Sequence, residues 1–432
     1  MTAPQSDSLR AHQITGLTAL EILDSRSRPT LQVTVTLADG STATAGVPSG
    51  ASTGSGEAVE RRDGDMSRYR GLGVRGAVEA VRGEIADRLR GQDWRGLAEI
   101  DAALIELDGT QNKSRLGANA IVGVSMACAR ALAHVAGREL WDSLTPADVA
   151  PRLPVPHFNV INGGVHAPNP LDFQEFMIAP IGAPDLAEAV RAGAEVYGAL
   201  RALLAGRGHA TGLGDEGGFA PQLAEPEEVL ELLVTAIKDA GYEPGRGGVA
   251  IALDPAASEF REDDGRYRVA GQKLTSDEMI ERYADITSRF PVWLIEDGLA
   301  EDDWKGWADL TARLGERVQL VGDDIFVTNP KIIADAIAGG IGNASLIKVN
   351  QIGTVTETLE AMAVCRRGGY AQFVSHRSGE TTDTFIADLA VGGGCGELKT
   401  GAPARGERVA KYNRLIEIAA AQPDMPYGLA GT

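Results

Sequence analysis

The stretches VAIALD (residues 249–254), VWLIED (292–297), VQLVGDD (318–324), SLIKVN (345–350), AQFVSHRSGE (371–380) and ELKTGAP (397–403) decide the fold. Each is a short apolar run that closes on polar or charged residues. The run ends recur after roughly 40 residues at first and roughly every 25 afterwards, the scale of successive strand–helix units. Unbroken apolar runs fit strands of a parallel sheet covered on both faces. Two earlier runs, VPHFNVI (155–161) and QEFMIAP (174–180), lie too close together for a crossover helix and should pair as a hairpin. No GxGxxG opens a helix and no P-loop occurs, so a closed barrel with an irregular start is expected rather than a doubly wound nucleotide fold.

Ahead of the barrel, residues 14–47 alternate apolar and polar side chains, with a turn at Asp39-Gly40, and predict an antiparallel sheet. Helical patterns follow over 76–90 and 117–137. The Pro-rich stretch 146–157, PADVAPRLPVPH, reads as a linker. The expected division is an N-terminal α+β lid domain over residues 1–150 and a catalytic α/β barrel domain over 151–432.

The chain has 432 residues, 41 basic against 60 acidic, and a net charge of −19. That balance argues against nucleic acid or an anionic membrane as a partner, but a local cationic pocket or a metal still permits an anionic substrate. Cys128, Cys365 and Cys395 are far apart and form no CxxC pair, so no disulfide framework or thiolate metal site is expected. No signal-peptide pattern and no membrane-length apolar run is read, and the expected location is cytoplasmic.

A barrel gathers the C-terminal ends of its strands on one rim. Asp254, Glu296 and Asp323 end three successive predicted strands. One such acid is usually an N-cap, but three at equivalent positions would repel unless a cation lay between them. Oxygen donors alone suit a hard ion such as Mg²⁺. Lys348 and Lys399 hold the same rim positions. Each could simply be a snorkelling lysine, yet a lysine beside a divalent cation should have a lowered pKa and can serve as a base. Both lysines with Arg377 would suit a phosphorylated carboxylate. The other signals are weak alone. Glu216 in GDEGG fits a tight turn, Gln174 and Glu175 a strand start, His166 a solvent-facing loop, and His376 and Ser378 a polar strand end. Ser52 in SGASTG (49–54) fits a flexible loop or, more sharply, a lid over phosphate or metal.

In order, SGASTG, GANAI, NGGxHAxNxxDxQEFMI, GDEGGFAP, ALDxAASEF, GDD, IKVNQIGT, SHRSGET and KTGAP closely resemble the enolase family over residues 14–416. The resemblance implies a (β/α)8 barrel of enolase type that begins ββαα, plus a smaller N-terminal α+β domain. It implies a carbon–oxygen lyase, phosphopyruvate hydratase, that dehydrates 2-phospho-D-glycerate to phosphoenolpyruvate. Two Mg²⁺ per active site are implied, the first on Asp254, Glu296 and Asp323 and the second on Ser52 with the phosphate. Lys348 would take the C2 proton and Glu216 would help the C3 hydroxyl leave. Glu175, His166 and His376 would surround that hydroxyl with Gln174 nearby, while Arg377 and Ser378 hold phosphate and Lys399 the carboxylate. The general pattern of a Lys or His base with Mg²⁺ is already known for the superfamily. A homodimer is implied, with an octamer as the alternative.

The sequence departs from the family pattern at Ser27-Arg28, where Gly-Asn is usual, at Pro255, at Glu397-Leu398, where Gln-Ile is usual, and at Gly406. Pro255 and Glu397 flank Asp254 and Lys399, so they are expected to bear on site geometry or charge. They motivate one rival reading: an enolase-like enzyme of a specialised phosphonate or antibiotic pathway acting on a related phospho- or phosphono-carboxylate.

Overall fold

The computed structural model describes residues 12–51 and 53–429. Residues Ile14–Leu23 (β1), Pro29–Leu37 (β2) and Thr42–Gly46 (β3) form an antiparallel sheet in the order β1-β2-β3. Alternation explains it: Leu31, Val33, Val35 and Leu37 point into the core while Gln32, Thr34 and Thr36 are half-exposed. Gly40 takes a left-handed φ of 86° in the β2–β3 turn. Ser27 also has a positive φ, 58°, so it bears the backbone strain that a glycine would not.

The helices of this region are Leu97–Asp108 (α1) and Ala118–Val135 (α2), after a shorter helical stretch over 75–89. In α2, Gly123 lets the helix press onto the sheet, because a Cβ there would lie 2.7 Å from Val33 and 2.9 Å from Val47. By length and composition α2 could cross a membrane, a run the sequence reading passed over, yet 78% of it is buried inside this fold. It is a core helix.

The second unit is a closed eight-stranded barrel. Its strands are Val155–Asn162 (β4), Glu175–Ala179 (β5), Ala250–Asp254 (β6), Val292–Glu296 (β9), Gln319–Gly322 (β10), Ala344–Ile347 (β11), Ala371–Ser375 (β12) and Gly396–Lys399 (β13). The short hairpin Tyr267–Val269 (β7) and Gln272–Leu274 (β8) sits outside it. As expected, β4 and β5 pair antiparallel; β5 is also antiparallel to β6, and every other barrel pairing is parallel. Two helices in succession, Leu186–Gly206 (α3) and Pro226–Asp239 (α4), separate β5 from β6 and complete the ββαα start. Ser276–Arg289 (α5), Trp304–Leu314 (α6), Pro330–Gly339 (α7), Val355–Gly368 (α8) and Phe385–Gly392 (α9) then follow β8, β9, β10, β11 and β12, and Gly406–Ala421 (α10) follows β13. Helix starts match their sequence signals: Thr275 and Glu278 make a reciprocal capping box, and Asn329 caps α7 with Pro330 at its first position.

Residues two apart on a strand share a face. Glu397 therefore lies on the same face as Lys399 but one layer deeper, away from the rim, where its carboxyl accepts both contacts from Gln319 Nε2, at 3.0 and 2.8 Å. The departure at Glu397 thus leaves the rim's charge set intact. Burial pushes this acid up from 4.5 to about 8, against smaller opposing effects of Gln319 and Arg246. The folded chain binds that proton more tightly than the unfolded one, so stability is complete below pH 4.5 and falls as pH rises to about 8. Glu397→Gln should remove this slope. In urea unfolding at pH 8.5 the variant should gain on the order of 4 kcal/mol over the parent, and at pH 4.5 almost nothing. Equal shifts at both pH values would show that Glu397 is not a buried neutral acid.

Candidate active site

The rim residues arrive from separate strands. Asp254 and Glu296 end β6 and β9, Asp323 follows β10, Lys348 follows β11, His376 and Arg377 follow β12, and Lys399 ends β13. All but Glu296, which is fully buried, line one small cleft together with His166, Gln174, Glu175, Glu216, Ser375 and Ser378. Beside Pro255, Asp254 Oδ1 accepts from the Ala256 N–H at 3.0 Å.

Two ammonium groups organise the acids. Lys399 Nζ donates to Glu175 at 3.3 Å, Asp254 at 3.2 Å and Glu296 at 2.8 Å. Lys348 Nζ pairs with Asp323 Oδ2, while Asp323 Oδ1 accepts from Gln351 Nε2 at 2.8 Å. Thr328 Oγ1 fixes the Gln351 amide at 2.6 Å and accepts the Lys348 N–H at 2.9 Å. Asp297 accepts the N–H groups of Asp323 and Asp324 at 2.8 and 2.9 Å, so it holds the Asp323 loop in place.

Charge in this cleft is unbalanced. Burial first, and neighbouring carboxylates second, lift Glu175, Glu296 and Asp297 well above the usual range and Asp324 to about 8. Asp323 is the exception, because Lys348 and Lys399 outweigh its burial and hold it low. Burial pulls Lys348 down, but Asp323 outweighs it and the lysine's pKa is raised. The lowering expected beside a cation is therefore reversed while Asp323 is the lysine's partner. An acid cluster this short of positive charge, with carboxylate oxygens as donors, has the chemistry to hold a hard divalent ion. Asp297, Asp323 and Asp324 also bring carboxylate oxygens within 4.8 Å of one another, but Asp297 is already committed to the backbone.

Opposite the lysines, Glu216 Oε2 accepts from Asn159 Nδ2 at 3.0 Å and lies 3.1 Å from His376 Nε2. His166 Nδ1 stands 3.7 Å from Glu216 and 3.9 Å from Glu175. His166 is thus buried in the cleft, not solvent-facing as its loop sequence alone implied. Burial pushes His376 down to about 3 and lowers His166, so both rings are neutral at pH 7. Burial would also raise Glu216, yet His376, His166 and Arg408 hold it well below the usual range. Burial and Glu216 thus make Glu175 the more readily protonated of the two acids.

The small unit closes the cleft from above. Arg377 makes a two-pronged ion pair with Glu57, at 2.9 and 3.1 Å, and contacts Asn350 Oδ1 at 3.2 Å. Arg26 donates to Ser378 Oγ at 3.1 Å and to the carbonyls of Ser49 and Gly50 at 3.1 and 3.0 Å. Gly54 packs so closely that a Cβ would lie 2.8 Å from the Asp324 carbonyl oxygen. Ser52, the expected lid ligand, lies outside the described residues. Sequence reading missed Glu57, Asn159, Asp297, Gln351 and Arg408; Gln351 and Arg408 sit in or beside motifs that could have drawn attention to them.

A family profile described as "Enolase, N-terminal domain" matches residues 14–144, and one described as "Enolase, C-terminal TIM barrel domain" matches residues 150–425. The chain is similar to a curated protein named Enolase from Acidothermus cellulolyticus, at 58% identity over 405 residues and 94% of each chain. It is also similar to one of the same name from Rubrobacter xylanophilus, at 56% identity over 408 residues and again 94% of each. With both profiles in order, and a closed barrel carrying acids, lysines and a Glu–His wall on one rim, the chain belongs to the enolase family.

Proposed function

We propose that this chain is an Mg²⁺-dependent phosphopyruvate hydratase, a carbon–oxygen lyase that reversibly removes water from 2-phospho-D-glycerate to give phosphoenolpyruvate in glycolysis and gluconeogenesis. The observation that carries the reading is the pairing in the cleft: Lys348 on Asp323, Lys399 on Glu175, Asp254 and Glu296, and Glu216 beside His376 and His166. Proton removal at C2 and hydroxide departure at C3 need opposite kinds of group on opposite sides of one small substrate. Similarity to proteins named Enolase over 94% of the chain favours the ordinary reaction over a specialised phosphonate relative.

In this reading Lys348 Nζ accepts the C2 proton, and Glu216 delivers the acid pair's proton to the departing C3 hydroxyl. His166, Gln174 and His376 frame that hydroxyl and keep water away from it. Lys399 binds the substrate carboxylate, while Arg377 and Ser378 bind its phosphate, with Arg377 sharing or exchanging Glu57 as its partner. Asp254, Glu296 and Asp323 would hold one Mg²⁺ and Ser52 would help hold a second; such ions would supply positive charge for the substrate's acid groups. We assign residues 1–150 to the lid domain and 151–432 to the catalytic domain. We also assign the chain to the cytoplasm and to a homodimer, with an octamer as the alternative; the exposed Leu20 and Leu23 on β1 support self-association.

The test is absorbance at 240 nm as phosphoenolpyruvate forms from 2-phosphoglycerate. Turnover should appear with Mg²⁺, vanish after thorough EDTA treatment and return on adding Mg²⁺. Full turnover in EDTA, or no product with Mg²⁺, would overturn the assignment.

A further inference from the structure

Arg408 on α10 is fully buried and does not itself line the cleft. Its guanidinium is committed to the site's frame instead. Nη1 donates to the His376 ring at Nδ1, 2.5 Å away, and to the Arg377 carbonyl at 2.7 Å. Nη2 donates to the carbonyls of Ser378 at 2.7 Å and Asp215 at 3.2 Å. One side chain therefore ties the loop before Glu216 to the loop that carries His376, Arg377 and Ser378.

A guanidinium has only donors and keeps its charge at any working pH. Whatever it donates to must offer a lone pair, so Nδ1 of His376 carries no hydrogen. The ring's single proton is then on Nε2, 3.1 Å from Glu216 Oε2. A second proton on this ring would have to sit on Nδ1, pointing at an N–H of a permanent cation. We propose that Arg408 is a positioning residue that locks His376 in its neutral, Nε2-protonated tautomer, making His376 a fixed hydrogen-bond donor and never a proton carrier.

The charged groups facing the ring agree. Burial opposes a second proton most, Arg408 from α10 and Lys399 from β13 oppose it too, and Glu216 from the loop after α3 favours it. Arg377 follows directly in the chain and adds another positive charge nearby. The consequence for the reaction rests on the assignment of His376 and Glu216 to the leaving hydroxyl. A neutral Nε2–H beside Glu216 leaves the mobile proton to the acid pair, with no competing proton store next to it.

The test uses the full chain with ¹⁵N-labelled histidine and long-range ¹H–¹⁵N correlation of the ring nitrogens, with and without Mg²⁺. From pH 6 to 9 His376 should show an unprotonated Nδ1 and a protonated Nε2 without titrating. Arg408→Met should let the ring titrate or change tautomer, lower kcat roughly 10–100-fold and give kcat a new pH limb where the ring titrates. Arg408→Lys keeps a cationic donor and should restore a flat profile. A wild-type Nδ1 that carries hydrogen overturns the proposal, and that measurement stands even if Arg408→Met does not fold. A uniform loss of activity in Arg408→Met with an unchanged tautomer makes Arg408 merely structural and also overturns it. A tautomer that changes while the pH profile does not would instead overturn the placing of His376 at the leaving hydroxyl, leaving the lock itself supported.

Discussion

Lys348→Ala should abolish both dehydration of 2-phosphoglycerate and exchange of its C2 hydrogen with deuterated solvent. Both processes begin with loss of the C2 proton, and Lys348 is the basic group assigned to take it. Glu216→Gln should behave differently. It keeps the side chain's size, and its amide can still meet Asn159 and His376, but it cannot take up and pass on a proton. Dehydration should fall by roughly two to four orders of magnitude, the usual range for one acid–base group. C2 exchange should persist, because Lys348 and the acids around it are untouched. NMR can follow exchange while absorbance at 240 nm follows dehydration. If Lys348→Ala still exchanges and Glu216→Gln does not, the two walls have been assigned the wrong way round.

The barrel and its rim were legible because one physical rule links them: closing a parallel sheet brings every strand's C-terminal end to one face. Asp254, Glu296, Lys348 and Lys399 could therefore be placed together from strand ends alone. What could not be read is which group each would pair with. Lys348 beside a cation and Lys348 beside Asp323 have opposite pKa shifts, and the strand pattern does not choose between them. Glu57 meets Arg377 across 320 positions of sequence, through packing of the small unit on the barrel. His166 looked exposed because glycines precede it, yet a loop folded over a barrel mouth is buried by what lies beneath it. Glu397 was noticed as a neighbour of Lys399, but only the layer spacing of the barrel shows that its carboxyl lies below the rim.

Lys399→Met should expose the same electrostatics as a stability effect. The Lys399 ammonium is raised well above its ordinary range by Glu175, Glu296 and Asp254, which together outweigh its burial. Those three side chains are at most 5% exposed, so water cannot replace the lost charge. Removing one member of a buried ion pair typically costs about 3–5 kcal/mol, and here one cation serves three acids. Glu175 and Glu296, already raised by burial and neighbouring acids, will hold protons more tightly still in the folded state. Stability from such groups is lost as pH rises, so the deficit in EDTA should be larger at pH 8 than at pH 6. Added Mg²⁺ should then stabilise the variant more than the parent, because Lys399 no longer competes for Asp254 and Glu296. Turnover should nevertheless be lost, since the substrate carboxylate has lost its ammonium partner. Thermal unfolding of parent and variant, in EDTA and across a Mg²⁺ series, separates these effects. An equal gain in Tm for both proteins would mean that Lys399 and the cation do not share these carboxylates, and the metal would have to be placed elsewhere on the rim.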